Sequence, residues 1–177
     1  MESFQYPIPP APRTAVLVSW FDKDRGNDRS NARRDKQKGK SVRVFTDGWG
    51  GEAAAFEPAA IAGTFEQICA LDRQTAPSLT HALIVLGRPG GERLTEENRD
   101  RLWRVFGVPI FEQVIGKAGE LLAAECEAHD GLHVESTRLP IKDEYVDATP
   151  CPCGRKTPRI GGTQGTALLK RVAAYAR

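Results

Sequence analysis

No stretch of this 177-residue chain holds an apolar run near the roughly 20 residues that cross a bilayer, which excludes a membrane-spanning helix. The N-terminal MESFQYPIPPAPR has no basic start followed by an apolar core, so no secretory signal is expected and the expected compartment is the cytoplasm. Charge of one sign is also missing: the net charge is only +2, too small for a general affinity for nucleic acid. The GxxxxGK[ST] phosphate loop is absent, and so is the H-x-E…P-C-x2-C signature of zinc deaminases. No internal repeat occurs.

Hydrophobic residues at 40% and charged residues at 27% are ordinary for a globular chain, and the length suffices for one domain with a real core. The strand and helix signals alternate. Thr14–Trp20 (TAVLVSW) is β-branched and apolar, as a buried strand requires, and residues 41–46 (SVRVFT) read as a second strand. DGWGGE then reads as a turn, because clustered glycines permit tight reversals. Pro58 is expected to open a helix to about Leu71, with Ile61, Phe65, Ile68 and Leu71 along one face. His81–Leu86 (HALIVL) is the clearest buried strand. After the GRPGGE loop, Thr95 caps a helix that runs to Phe106 and stops at Gly107. Short strands follow over residues 108–115, 121–126 and 132–135, then a Cys/Pro/Gly knuckle over 149–159 and an Ala-rich helix after Gly165. The expected fold is α/β: a small mixed sheet with flanking helices, plus a β-rich, zinc-tied C-terminal lobe at about residues 120–160. The expected organisation is a Pro-rich arm over residues 1–13 and a single domain over residues 14–177.

Residues 22–43 carry nine Lys or Arg against four Asp, and Ala32 is the one apolar residue between Phe21 and Val42. Such a segment cannot bury itself and reads as a solvated loop or a segment that folds on a partner. Nucleic acid is one such partner, through phosphate contacts, with Trp20 and Phe21 placed to stack on bases. A protein partner or a second copy of the chain is the other.

Four cysteines without an export signal are expected to be thiols rather than disulfides. Cys69 lies among apolar helix positions and reads as a buried structural thiol. The other three cluster with histidines. Zinc takes four soft or borderline ligands in a tetrahedron, usually as two short pairs from separate turns. Cys126 and His133 supply one pair around the turn EAHDGL, and Cys151-Pro152-Cys153-Gly154 supplies the other. His129, at C-x2-H spacing from Cys126, is the competing fourth ligand. Gly131 favours His133, because it lets the chain reverse and return a side chain toward Cys126. Four protein ligands leave no open position for water, so the expected site is structural. Glu125 and Glu127 flank Cys126 and, in an alternating strand, point away from it, toward solvent or toward hydrogen bonds around the site.

Residues 81–160 resemble the middle of phenylacetate–coenzyme A ligase-like adenylate-forming enzymes. The matching stretches are ALIVLGRPGGERLT, FGVPIFEQVIG, LLAAECEAHDGLHVE and CPCGRKTPRI. The resemblance implies a zinc knuckle formed by Cys126, His133, Cys151 and Cys153. It also implies adenylation machinery that this sequence departs from. No Ser/Thr/Gly-rich phosphate loop is present, and FEQVIG, which keeps Glu112, stands where the family has a YGxTE-like motif. The segment that holds the ribose-binding Asp is shortened to STRLPIKDEYVDATP, and the lid with its catalytic Lys is expected to be missing. The expectation is therefore a ligase-derived scaffold that keeps its zinc site and acts as a non-catalytic accessory subunit. A residual enzyme that binds an acyl or aryl carboxylate, or its thioester, near Gly90, Gly91 and Glu112 is the alternative.

Overall fold

A computed structural model describes residues 13–17, 41–71, 76–139 and 146–161. The Pro-rich arm over residues 1–12, the basic segment over residues 22–40 and the helix expected after Gly165 lie outside the described residues. The chain divides into two compact units.

The first unit takes in the described residues up to Leu86, together with Arg93–Ile110. Its sheet has the order β2-β1-β3-β4, with β1 at Thr14–Leu17, β2 at Val42–Phe45, β3 at Ala60–Gly63 and β4 at Ala82–Gly87. Every pairing among these strands is parallel: β1 joins β2 on one side and β3 on the other, and β3 joins β4. Strands in such a sheet are covered on both faces and read as continuous apolar runs. All four residues of β1 and all four of β3 are buried accordingly.

The helix expected from Pro58 to Leu71 does not form over that length. Its first half is β3, and only Phe65–Cys69 is helical (α2). The i, i+3, i+4 spacing of Ile61, Phe65 and Ile68 is real, but Ala60–Gly63 satisfies its backbone by pairing with strands on both sides, which outweighs local periodicity. Thr64 starts α2 with a reciprocal capping box: its hydroxyl accepts from the Gln67 N–H at 3.2 Å, and the Gln67 carboxamide accepts from the Thr64 N–H at 2.9 Å. Gly63 lies close against its neighbours: a Cβ there would make van der Waals contact with the Leu17 Cβ and the Gln67 Oε1, each at 3.4 Å.

The DGWGGE turn leads directly into a short helix, α1 (Gly51–Ala55), which sequence reasoning missed. Glu57, at φ +48°, reverses the chain toward β3. Helix α3 (Glu96–Phe106) has the expected limits: the Thr95 hydroxyl accepts from the Asn98 N–H at 3.2 Å, and Gly107 takes the left-handed conformation at φ +66°. The core unites the two stretches of chain, with Leu17, Ile61, Ile68 and Leu83 packed in one cluster with Leu102, Val108 and Ile110.

The second unit takes in Gly87–Glu92 and the described residues from Phe111 onward. It is antiparallel, in the order β5-β6-β7-β9-β8. The strands are β5 (Ile110–Ile115), β6 (Leu121–Glu125), β7 (Leu132–Val134), β8 (Val146–Asp147) and β9 (Arg159–Ile160). The three strands expected by alternation are present with slightly shorter limits, and β8 and β9 are additional. Val114, Leu122, Ala123, Leu132 and Leu139 form its apolar cluster, with Val134 and Ile160 against them. The chain is thus α/β, with a parallel helix-flanked unit and a β-rich unit that carries the cysteines. Among the described residues, no helix is long and apolar enough to cross a membrane.

Candidate metal centre

Antiparallel register places the candidate ligands. Ala124 on β6 faces His133 on β7, and residues directly opposite one another in a sheet project from the same face. Cys126 follows Ala124 by two positions, so alternation turns its side chain toward that face as well. His133 in turn faces Arg159 on β9, and Arg159 faces Asp147 on β8. Ala124, His133, Arg159 and Asp147 therefore form one row across four strands, while Leu132, Ile160 and Val146 form an apolar row on the other face.

Two tight turns deliver the sulfurs. In the first, the His129 N–H donates to the Cys126 carbonyl at 3.0 Å, and Gly131 at φ +79° returns the chain into β7. In the second, the Gly154 N–H donates to the Cys151 carbonyl at 2.9 Å, with Gly154 at φ +84°. Each turn also aims an N–H at a sulfur, that of Ala128 at Cys126 and that of Cys153 at Cys151. The outcome is a compact group in which the Cys126, Cys151 and Cys153 sulfurs and one His133 ring nitrogen all lie within 4.8 Å of one another. Cys126 and Cys151 are 3.6 Å apart, and Cys153 Sγ is 3.4 Å from His133 Nε2. Cys126, His133 and Cys151 are buried. This group can hold a metal ion.

The imidazole is oriented for that role. His133 Nδ1 lies 2.9 Å from the Thr157 hydroxyl and 3.2 Å from the Thr157 carbonyl. A carbonyl only accepts, so Nδ1 carries the proton and Nε2 turns its lone pair toward the sulfurs. Burial also holds His133 below its ordinary pKa and so keeps it neutral. Burial pushes the Cys126 thiol up to about 12. At Cys151 burial works in the same direction, but the Cys153 N–H and the neighbouring thiols outweigh it and hold the group below its ordinary value.

A buried ion network, which sequence reasoning missed, supports the second turn. Arg159 is 1% exposed and pairs with Asp130 and with Asp147, the latter at 2.8 Å. Asp147 in turn accepts from the Thr149 N–H at 2.8 Å and the Thr149 hydroxyl at 2.7 Å, two residues before Cys151. The sequence offered only an Arg immediately after Pro158 and acids 12 and 29 residues before it, and pairing them required the tertiary structure, the β8–β9 register for Asp147 among it. Arg155 also holds Glu135, at 2.9 Å, beside β7.

His129 lies outside the sulfur group. Its Nδ1 is 2.9 Å from Glu125 Oε1, and its ring stacks on Phe111 with centroids 5.1 Å apart. Glu125 is buried and also accepts the Glu112 N–H at 2.8 Å, whereas Glu127 is exposed. Glu112 is buried, and a Cβ at Gly87 would come within 3.9 Å of its carboxylate. The GRPGGE loop is a turn, closed by the Gly91 N–H on the Arg88 carbonyl at 3.0 Å, with Gly90 at φ +73°. Cys69, on α2, is a free thiol packed against the first unit's core.

No protein-family profile matches the chain, and no curated protein does. Among solved structures, it is similar to an open conformation of a 2-hydroxyisobutyryl-CoA ligase in complex with 2-HIB-AMP and CoA, with a TM-score of 0.54 and 15% identity. The match covers 86% of this chain and 44% of the ligase, so the chain spans less than half of the ligase's length. At that identity the likeness is one of fold.

Proposed function

We propose that this chain is a zinc-binding α/β protein on a scaffold related to the adenylate-forming ligases, in which Cys126, His133, Cys151 and Cys153 hold the metal structurally. The observation that carries the reading is the compact Cys3His group, with its four ligand atoms within 4.8 Å of one another. A tetrahedron with zinc–sulfur bonds of about 2.3 Å has sulfur–sulfur edges of about 3.8 Å and sulfur–imidazole edges of about 3.6 Å. The 3.6 Å separation of Cys126 and Cys151 and the 3.4 Å separation of Cys153 and His133 are close to those edges. Three thiolates and a neutral imidazole suit zinc better than magnesium or calcium, which prefer oxygen ligands. Four protein donors fill the coordination sphere and leave no position for an activated water.

On this reading the chain is not itself an adenylating enzyme. Adenylation requires ATP, a carboxylate and an acceptor to be gripped together in line, and FEQVIG stands where the ligases carry their YGxTE-like motif. The role that fits is an accessory or structural subunit of a larger cytoplasmic assembly, with a protein or a second copy of the chain as partner. The test is elemental mass spectrometry of the purified protein beside its native mass. The expected result is one zinc per chain, lost together with folding in Cys151→Ser, in a species heavier than one chain. A stable, metal-free fold sinks the zinc reading, and a lone monomer with residues 1–13 and 22–43 ordered against its own core counts heavily against the accessory role.

A further inference from the structure

A crevice in the first unit has no part in the metal reading. It has a volume of about 680 Å3 and lies where β1 ends at Leu17, against the loop after β2 and the flank of α2. Because β1, β2 and β3 are mutually parallel, their carboxyl ends meet at one edge of the sheet. The order β2-β1-β3-β4 means that the chain leaves β1 toward one neighbour and returns on its other side. Crevices outside the carboxyl ends of strands at such a reversal are where open parallel sheets bind ligands.

The lining states the chemistry. Leu17, Ala54, Ala70 and Leu71 are apolar, and Trp49 contributes a wall that is itself packed against the core. Gly48, Gly50 and Gly51 open the crevice further, since a Cβ at any of the three would have nothing within 4 Å. Among the described residues, none that lines the crevice carries a charge. Apart from the Trp49 indole, the one polar side chain among the described lining residues is Gln67, whose orientation is fixed because its Oε1 accepts the Thr64 N–H at 2.9 Å. A charged ligand would leave water here with no counter-charge among the described lining residues, whereas a flat apolar ring would gain an indole to stack on and the aliphatic walls. The volume falls within the range of small-molecule sites.

We propose that this crevice binds an uncharged, planar aromatic molecule. The test uses the full chain and two probes, 2-naphthol and 2-naphthoate, which share a ring system and differ in charge at neutral pH. Titrations are followed by two-dimensional amide NMR. The expected result is saturable 2-naphthol shifts at the Gly48, Gly50 and Gly51 amides and the Trp49 indole N–H, with 2-naphthoate weaker by about tenfold or more. Ala70→Leu, which fills the crevice, should weaken 2-naphthol by a similar factor, whereas Trp103→Phe, at an exposed position on α3, should leave it unchanged. If Ala70→Leu does not give a folded spectrum, Ala54→Leu serves in its place. Shifts that never saturate, that map away from the three glycines, or that are equal for the two probes overturn the proposal. Zinc content of the same sample reads out the metal separately, because the crevice and the cysteines belong to different units.

Discussion

Replacing Arg159 with methionine tests whether the ion network holds the second cysteine turn. The substitution keeps most of the aliphatic stem and removes the guanidinium from between two carboxylates. Asp147 is 4% exposed and would keep its charge without its cation, although the Thr149 N–H and hydroxyl would still donate to it at 2.8 and 2.7 Å. Asp130 is 20% exposed and can recover water. Breaking a buried pair from one side costs about 3–5 kcal/mol, and these two forms of relief place the expected loss at the lower end, about 3 kcal/mol. For a chain of this size that corresponds to a drop of roughly 6–12 °C in Tm.

Urea unfolding of the metal-loaded protein at pH 7, followed by circular dichroism, measures the loss directly. Asp147→Asn added to Arg159→Met should restore part of it, because the stranded charge is then gone. The pH dependence has a definite sign. Burial works to raise the Asp147 carboxyl, but the Thr149 hydroxyl and N–H and the Arg159 charge outweigh it and hold the group below the ordinary carboxylate value. A depressed carboxyl stabilises the fold above its unfolded value and loses that contribution as pH falls through its folded value. Wild type should therefore lose stability in that acid window, and Arg159→Met should lose less of it there. A single variant within about 0.5 kcal/mol of wild type, the scale of an ordinary surface substitution, with its acid profile unchanged, would refute the network's role.

The two histidines make a sharper pair than any cysteine. His133→Ala should abolish stoichiometric zinc, and His129→Ala should retain it while costing stability through Glu125 and Phe111; elemental analysis and thermal melts of the two variants separate these outcomes. Thr64→Ala removes one arm of the capping box and should destabilise the first unit by about 1 kcal/mol in urea unfolding, with zinc content unchanged.

Legibility in the sequence followed the range of the interactions. Helix α3 could be read because its signals are local: a Thr cap, an apolar stripe and a stopping glycine. The Cys/His grouping could be read because each pair sits on its own short turn, so spacing encoded it. Gly131 at φ +79° also gave the reversal on which the choice of His133 rested. The β3–α2 boundary could not be read from periodicity, because Ile61 suits a helical stripe and a buried strand equally, and the strands on either side decide the matter. The local clue was the Thr64–Gln67 capping box, which marks where the helix starts. Arg159 was hidden for the same reason as β3: its partners, Asp130 and Asp147, are brought to it by strand register.

The way the chain is shared between the two units has a practical consequence. Leu102, Val108 and Ile110 complete a core begun by Ala15 and Leu17, while Gly87–Glu92 belongs to the other unit. During synthesis, the parallel sheet therefore waits for α3 to leave the ribosome before its core can close. No single cut yields both halves intact: a truncation after β4 deprives the sheet of a helix, and one after α3 carries a loop of the second unit along with the first. A gene fragment made to isolate the cysteine-bearing half would have to begin at β5 and replace Gly87–Glu92 by some other means.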